Sequence, residues 1–336
     1  MRAVVLTAIG DPENLKLEER PNLRAHPGDV IVRLRAAALN RRDVWIRKGQ
    51  YAGVKVPIIL GSDGAGEVVE VGDGVDASWQ GREVVIDPSL DWGSDERAQG
   101  SSFNILGLPV DGTYAEMVRV PVANVHPKPA HLSWEQAAAV PLASVTAYRA
   151  LVTRARVQPG ETVLVTGIGG GVATCVLVIA KQLGAKVYVT SGSDAKLSMA
   201  LTHGADGGVN HRKDDWTKTL IAEIGSRPDI VIDGAGGETF NKALDVLKPG
   251  GRLVSYGSTL GAAQNVEIRR IFWKQLNVLG TTMGTPSDFA AMLKLYESGL
   301  RPVIDKVFPL EQASDAHIRM EAGDQFGKIV LSIGPK

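Results

Sequence analysis

The sequence predicts an α/β protein in which a doubly wound parallel sheet is inserted between the two parts of a β-rich unit. Three observations carry this. In the first third of the chain, Val30 to Leu34, Gly64 to Val71 and Arg82 to Ile86 are Val- and Ile-rich runs bounded by Gly, Asp or Pro, the pattern of strands and turns. From about Thr162 the rhythm becomes strand, helix, strand: ETVLVTG, GVATCVLVIAKQLG, AKVYVTS and DAKLSMALTHG, with later strands at DIVID, GRLVSYG and LNVLGTT. Strands alternating with helical patterns build parallel sheets. After Gly284 there remain a helical stretch, SDFAAMLKLYESG, the extended VIDKVFP and a closing strand, GKIVLSI. These are too few for a third domain, so the closing segment is expected to rejoin the first. The expected boundaries are residues 1–143 and 284–336 for the β-rich unit and 144–283 for the inserted one.

The N-terminal MRAVVLTAIGDPENL reads as a first strand: its apolar run is short, and Asp11 and Glu13 argue against a signal peptide. Between Asp87 and Gly107 the sequence turns polar and irregular, which marks a surface lobe. The densest apolar run, Val172 to Ala180, is closed by Lys181 and Gly184, short of the roughly 18 residues that cross a bilayer. The 336 residues suggest about two domains, and 44% hydrophobic with 22% charged residues is ordinary for a globular chain. Lys+Arg and Asp+Glu both number 37, giving zero formal charge, so no overall field gathers nucleic acid or an anionic membrane. The single cysteine, Cys175, lies in an apolar run, which excludes an intramolecular disulfide and any site needing several thiolates. A cytoplasmic, reducing setting is expected.

The glycine turn Gly167-Ile-Gly169-Gly170-Gly171-Val172-Ala173 follows a buried-looking strand and opens an apolar helix. In that context it can set backbone N–H groups and the positive helix end against a pyrophosphate, while Ala173 lets helix and strand pack closely. The spacing Gly167-x-x-Gly170-x-x-Ala173 is a relative of the usual dinucleotide fingerprint. A cofactor with a free ribose 2′-hydroxyl usually meets an acid at the end of the second strand. Here that strand ends in Ser191-Gly192-Ser193. These hydroxyls, with Lys196 and with His211-Arg212 alongside, favour a 2′-phosphate, and hence NADP over NAD. Asp194 is read as a helix N-cap, and Lys196 has the alternative of a solvated helix-face lysine.

Together with ALNRRDVWIRKG, PIILGSDGAGEVVEVG, DGTYAEMVRVP, PLASVTAYRAL, LKPGGRLVSYG and GKIVLSI, these segments resemble the medium-chain dehydrogenases/reductases, in their zinc-independent quinone oxidoreductase-like branch, over almost the whole chain. The resemblance implies a GroES-like β domain formed from both chain ends, a Rossmann domain between, and an active site in the cleft where they meet. Zinc-dependent members carry Cys, His and Cys where this chain has Asn40, Ser62 and Leu142, so no zinc is expected. The lobe at Asp91 to Phe103 aligns with a structural-zinc segment whose four cysteines are missing here, and its acids are read as solvated surface.

The resemblance further implies that Arg41 and Lys328 contact the pyrophosphate and that Thr146 stands beside the nicotinamide. Gly236, Tyr256, Gly257 and Ser258 sit where sheet ends meet ribose and nicotinamide, and Thr281 borders the nicotinamide amide. The catalytic candidates are Asn40 as hydrogen-bond donor, Tyr51 as donor or proton source, Trp45 as an apolar wall, and Asp43, with which Arg47 is expected to pair. Four histidines, His26, His126, His131 and His317, are placed in loops or on an exposed helix face, and His203 at the surface. Without a metal the natural acceptors are quinones and α,β-unsaturated carbonyls, reduced by NADPH. The alternatives are a zinc-type alcohol dehydrogenase using Asp43 and Asp63, and an NADPH-binding structural protein without turnover. As in relatives, LNVLGTT is expected to pair with its twin in a homodimer or dimer of dimers, with no nucleic-acid partner.

Overall fold

The computed structural model describes residues 1–213 and 215–334. They form two compact units, one of Met1–Ala143 with the chain from Thr285 onward, the other of Ser144–Gly284.

The first unit is built on strands. Its main sheet runs in the order Val125–Pro127, Glu83–Ile86, Asp63–Val71, Asp29–Ala38, Lys328–Ser332, Ile304–Pro309, and Met117–Pro121 also pairs with Asp29–Ala38. A three-stranded sheet of Leu15–Glu19, Arg2–Leu6 and Ile58–Ile59 completes it. The inward side chains of the long strand Asp29–Ala38, among them Val30, Val32 and Leu34, join Val4, Leu60, Val84, Ile86 and Leu331 in one apolar core. Gly66 is demanded here, because a Cβ at that position would lie 2.1 Å from the Arg33 carbonyl oxygen. The closing strand is antiparallel to Asp29–Ala38, with Val330 opposite Ala38 and Ser332 opposite Ala36. The Leu39 N–H donates to Ile329 O, and this register brings Lys328 to Asn40, where the chain turns into the helix Arg41–Arg47.

Two expectations are corrected here. His317 is not on an exposed face: in the helix Ala313–Ala322 it shares a buried stripe with Ala313, Ala316 and Met320, at helical spacing, and is fully buried. Arg47 does not pair with Asp43. It is itself buried, donates from Nε to His317 Nδ1 at 3.3 Å, and reaches the Gly10 carbonyl and the Glu321 carboxylate. Since Nδ1 accepts, Nε2 carries the imidazole proton, 3.4 Å from the Tyr114 hydroxyl. In the lobe, Trp92 and Phe103 meet edge to face at 5.2 Å and Trp92 Nε1 donates to Asp95 O at 3.0 Å. An aromatic pair therefore cores the segment that lacks the four cysteines. Not all its acids are merely solvated: Glu96 accepts from the Ser287 hydroxyl at 2.8 Å.

The second unit is a six-stranded parallel sheet in the order Gly207–Asn210, Lys186–Ser191, Thr162–Val165, Ile230–Asp233, Arg252–Ser255, Asn277–Gly280. The strand order reverses direction between Thr162–Val165 and Ile230–Asp233, the switch point of a doubly wound sheet. The central strands are buried throughout, as the Val- and Ile-rich runs require when helices cover both faces. Among the described residues no helix is long and apolar enough to cross a membrane.

Burial, and secondarily the Arg47 guanidinium, push the His317 imidazole down to about 3. An unfolded histidine titrates near about 6.5, so the unfolded chain takes up a proton while the folded imidazole stays neutral. His317 therefore subtracts stability progressively as pH falls from about 6.5 toward about 3. Replacing it by Gln should flatten this acid loss by at most about 1.4 kcal/mol per pH unit. The drop in Tm between about pH 7 and pH 5, each protein taken against its own neutral value, should be smaller in His317→Gln; equal drops would contradict this account.

Candidate active site

In the first unit, the strand end at Ala38 and the first turn of Arg41–Arg47 gather a buried polar cluster. Asn40 Nδ2 donates to Asp63 Oδ2 at 2.9 Å, and Asn40 Oδ1 accepts from Lys328 Nζ at 2.7 Å. Lys328 Nζ also donates to Asp63 Oδ2 and to Leu39 O, each at 2.8 Å. The other Asp63 oxygen accepts the Leu142 N–H at 2.8 Å. This corrects the placement of Lys328: its ammonium is buried and its three N–H bonds are used inside this cluster rather than on a pyrophosphate.

Asp43 is fully buried at the third position of the helix, where Oδ2 accepts the Asn40 N–H at 2.8 Å and the Tyr114 O–H at 3.0 Å. Burial pushes its carboxyl up, opposed by Arg42 and these hydrogen bonds. Burial and Asp43 together hold the Tyr114 phenol well above its ordinary value, so it remains a donor. Asp43 thus orients the backbone at Asn40, and a direct catalytic role does not fit its complete enclosure. Arg42, which the sequence did not single out, donates to Ser62 Oγ at 2.7 Å and to Leu106 O at 2.9 Å, and Ser62 Oγ donates to Leu106 O at 2.8 Å. The same guanidinium stands 5.2 Å over the ring of Tyr51, which is 36% exposed. Trp45 and Arg41 are half-buried, and burial lowers the Arg41 guanidinium.

These contacts decide the metal question at the level of donors. Asn40, Ser62 and Leu142 offer no thiolate or imidazole, Asp63 is consumed by Lys328, Asn40 and Leu142, and Asp43 faces Tyr114 and the Asn40 backbone. Among the described residues no group of three or more His, Cys, Asp or Glu could hold a metal ion. The residues do not fit a zinc ion.

In the second unit, the candidates lie along the carboxyl ends of the parallel strands. Gly167 has φ +65° and Gly169 φ +126°, conformations glycine adopts without penalty. Gly170 caps the helix Gly171–Gln182, whose first turn also holds Val172 and Ala173. A Cβ at Gly167 or Gly170 would meet nothing within 4 Å, so the turn leaves a hollow in front of N–H groups that have no partner within the helix. The turn is pinned from behind by Thr190: its Oγ1 accepts the Gly167 N–H at 3.0 Å and its carbonyl the Ile168 N–H at 2.8 Å. The cradle fits a dinucleotide pyrophosphate.

Beside it, Ser193 rather than Asp194 caps the helix Asp194–Thr202, its hydroxyl accepting the Lys196 N–H. Asp194 instead accepts from Asn210 Nδ2 at 2.8 Å and Lys213 Nζ at 3.1 Å. The buried Ser191 hydroxyl accepts the Ser193 N–H at 3.2 Å. A Cβ on Gly192 would lie 2.6 Å from Arg212 Nε, so Arg212 covers this strand end. His211 is exposed, and its imidazole is lowered by partial desolvation and then by Arg212 and Lys242.

Farther along, Asp233 accepts the Thr166 hydroxyl at 2.5 Å and the Gly236 N–H at 3.0 Å, and burial pushes its carboxyl up. Gly236, at φ +68°, packs against Ser258 and Gly261. The Tyr256 ring covers Gly234, and a Cβ there would meet it at 2.3 Å. Gly257 and Ser258 are exposed, Thr281 donates its N–H to Ser255 O at 3.0 Å, and Thr146 is buried in the helix Pro141–Tyr148. Sequence reasoning missed Thr166, Thr190 and Asp233, each an unremarkable polar residue at a strand end.

A β-rich unit interrupted by a doubly wound sheet with a dinucleotide cradle defines the class of two-domain dehydrogenases. Residues 26–130 match the alcohol dehydrogenase GroES-like domain and residues 171–298 the family described as zinc-binding dehydrogenase. The chain is 38% identical over 327 residues to the zinc-type alcohol dehydrogenase-like protein YogA of Leptosphaeria maculans, covering 91% of each. It is 32% identical to the acryloyl-coenzyme A reductase of Metallosphaera sedula, covering 99% of this chain and 100% of the relative. It is 30% identical to the quinone oxidoreductase of Homo sapiens, covering 98% and 97%. A crystal structure of an NAD-dependent alcohol dehydrogenase superposes with a TM-score of 0.94 at 41% identity, over 99% of this chain and 100% of the other. The chain belongs to the medium-chain dehydrogenase/reductase superfamily and is an oxidoreductase of that group.

Proposed function

We propose that the protein is an NADPH-dependent, metal-independent reductase of quinones or α,β-unsaturated carbonyl compounds. The observation that carries the reading is the donor chemistry of the Asn40 cluster: Asn40, Ser62 and Leu142, which the family resemblance matches to zinc ligands, offer no thiolate or imidazole, and the nearby carboxylates are engaged. The glycine turn would hold the pyrophosphate of a reduced nicotinamide dinucleotide, which would supply a hydride. A simple ketone concentrates its developing charge on one oxygen, where a Lewis acid helps most, whereas a conjugated acceptor spreads the charge, and a single hydrogen-bond donor to its oxygen suffices to hold it. Asn40 Nδ2 carries two hydrogens and spends one on Asp63, leaving one to offer such an oxygen. Tyr51 is the candidate proton source and Trp45 an apolar wall for a flat acceptor. The resemblance to an acryloyl-coenzyme A reductase and a quinone oxidoreductase supports this substrate class.

The purified protein should consume NADPH with quinones and enones and turn over simple alcohols and ketones very slowly. Asn40→Ala should lower kcat by a factor on the order of 10² with NADPH affinity retained, the loss of one oxyanion donor. Elemental analysis finding tightly bound zinc, with activity confined to simple alcohols and ketones, would overturn the reading in favour of a zinc-type dehydrogenase. No turnover with any acceptor would favour a binding protein.

For the cofactor, the strand end at Ser191 presents no free acid, Asp194 is paired with Lys213 and Asn210, and Arg212 lies over Gly192. We therefore assign the 2′-phosphate to Arg212, with His211 and Lys196 beside it. Arg212→Ala should weaken NADPH binding by about 1–3 kcal/mol, the range of a charge-assisted hydrogen bond, and leave NADH binding nearly unchanged. Equal losses for both cofactors in calorimetric titration would sink the assignment.

For assembly, the strand Asn277–Gly280 has one neighbour among the described residues, Arg252–Ser255, and so presents an open sheet edge there. Val278 on it and Ile268, Phe272 and Trp273 just before it are exposed, Trp273 by 82%. Unpaired backbone groups beside an apolar patch suit self-pairing in a symmetric dimer. Light scattering at micromolar concentration should give a dimer or a dimer of dimers, and Val278→Pro should yield monomers; a monomeric wild type would refute the interface.

A further inference from the structure

The Lys328 ammonium has three N–H bonds and three acceptors in reach: Leu39 O at 2.8 Å, Asn40 Oδ1 at 2.7 Å and Asp63 Oδ2 at 2.8 Å. An ammonium only donates and a carboxylate only accepts. Their placement on either side of Asn40 admits one orientation of its carboxamide, with Oδ1 toward Lys328 and Nδ2 toward Asp63. A flipped amide would set donor against donor and acceptor against acceptor in a buried site, where unsatisfied polar groups are costly. Asp63 cannot swing aside to relieve this, because its other oxygen holds the Leu142 N–H at 2.8 Å. Lys328 and Asp63 are both buried and form a direct ion pair at 2.8 Å.

We propose that Lys328 is a positioning residue that locks the Asn40 carboxamide so that an N–H, and never the carbonyl, is left for the substrate oxygen. The proposal rests on the reading of Asn40 as the oxyanion donor. A freely rotating amide would present its oxygen to the developing negative charge part of the time. Lys328 removes that state without touching substrate or cofactor, and it stands 288 residues away from Asn40 in sequence.

The test uses the full-length protein. Lys328→Met alone leaves Asp63 as an unpaired buried charge and can fail to fold, so the decisive variant is the charge-balanced pair Asp63→Asn with Lys328→Met, in which the one oxygen at 63 stays on the Leu142 N–H and the amide nitrogen faces Asn40, so that the lock is lost and the flipped Asn40 amide is favoured. We expect kcat with a quinone or enone to fall about tenfold or more, NADPH affinity measured by fluorescence titration to stay within about twofold, and the same pair to cost nothing further in an Asn40→Ala background. Unchanged kcat, or a loss confined to NADPH affinity, would overturn the proposal, the latter by assigning Lys328 to the cofactor. A readout independent of turnover separates this from the functional reading: with selective asparagine labelling, the Asn40 side-chain amide should give one slowly exchanging pair of NMR signals in the wild type and lose that protection in the paired variant. If the wild type reduces no quinone or enone, the functional reading fails, and equal protection in both proteins would then reject the lock as well.

Discussion

A single buried ammonium organises the first unit's site. An unpaired charge in a protein interior costs several kcal/mol or more, so Lys328 is tolerable only with its N–H bonds filled and a carboxylate beside it. Leu39 O, Asn40 Oδ1 and Asp63 meet that demand. Each comes from a different part of the architecture: the end of the central strand, the start of a helix, and the neighbouring strand Asp63–Val71. The closing strand reaches them through its antiparallel register with Asp29–Ala38, in which Ile329 and Leu331 join the apolar core. A one-residue slip would turn Ile329 and Leu331 away from the core and point Lys328 elsewhere. Core packing thus dictates the electrostatics of the site.

Behind this cluster runs a second buried chain: Arg47, His317, Tyr114 and Asp43, ending on the Asn40 N–H. The arginine can only donate, which makes His317 Nδ1 an acceptor and places its proton on Nε2. Tyr114 in turn donates its O–H to Asp43. Each member fixes the polarity of the next, and the last member holds the backbone whose side chain Lys328 orients. The two networks converge on Asn40 from its main chain and its side chain, which is the rigidity a preorganised donor requires.

The parts of this molecule legible in sequence are those whose cause is local. Strand, helix and turn periodicity between Thr162 and Gly284 follows from neighbours a few residues apart, and so does the glycine turn, where a missing Cβ leaves its signature in three residues. Asn40 was singled out through resemblance to a family rather than from its spacing, and the structure places it in the buried cluster with Asp63 and Lys328. Lys328, His317 and Arg47 were not legible: each is a polar residue in an ordinary pattern, and its burial is decided by groups hundreds of positions away. Asp194 was misread for a related reason. Either it or Ser193 suits a helix cap, and the choice falls to Ser193 because Asn210 and Lys213, on the adjacent strand end, claim the Asp194 carboxylate.

The family description speaks of zinc, and the fold matches it closely, yet the donor atoms at the site do not. Fold and site chemistry are separable because they depend on different residues. The sheet registers rest on Val, Ile and Ala positions that are indifferent to a metal, while ligation rests on a few side chains buried within that frame. With Asn40, Ser62 and Leu142 at the positions that the family resemblance matches to zinc ligands, Asp63 needs a counterion other than a metal. Lys328 supplies that counterion, and Arg42 holds Ser62 to the Leu106 carbonyl. Positive charge therefore stands fixed near this position, carried by side chains and delivered to a substrate oxygen through the Asn40 amide in the proposed reaction. A neutral amide donor stabilises less charge than a metal ion does, so in the proposed reaction it suits an acceptor whose conjugation shares the charge.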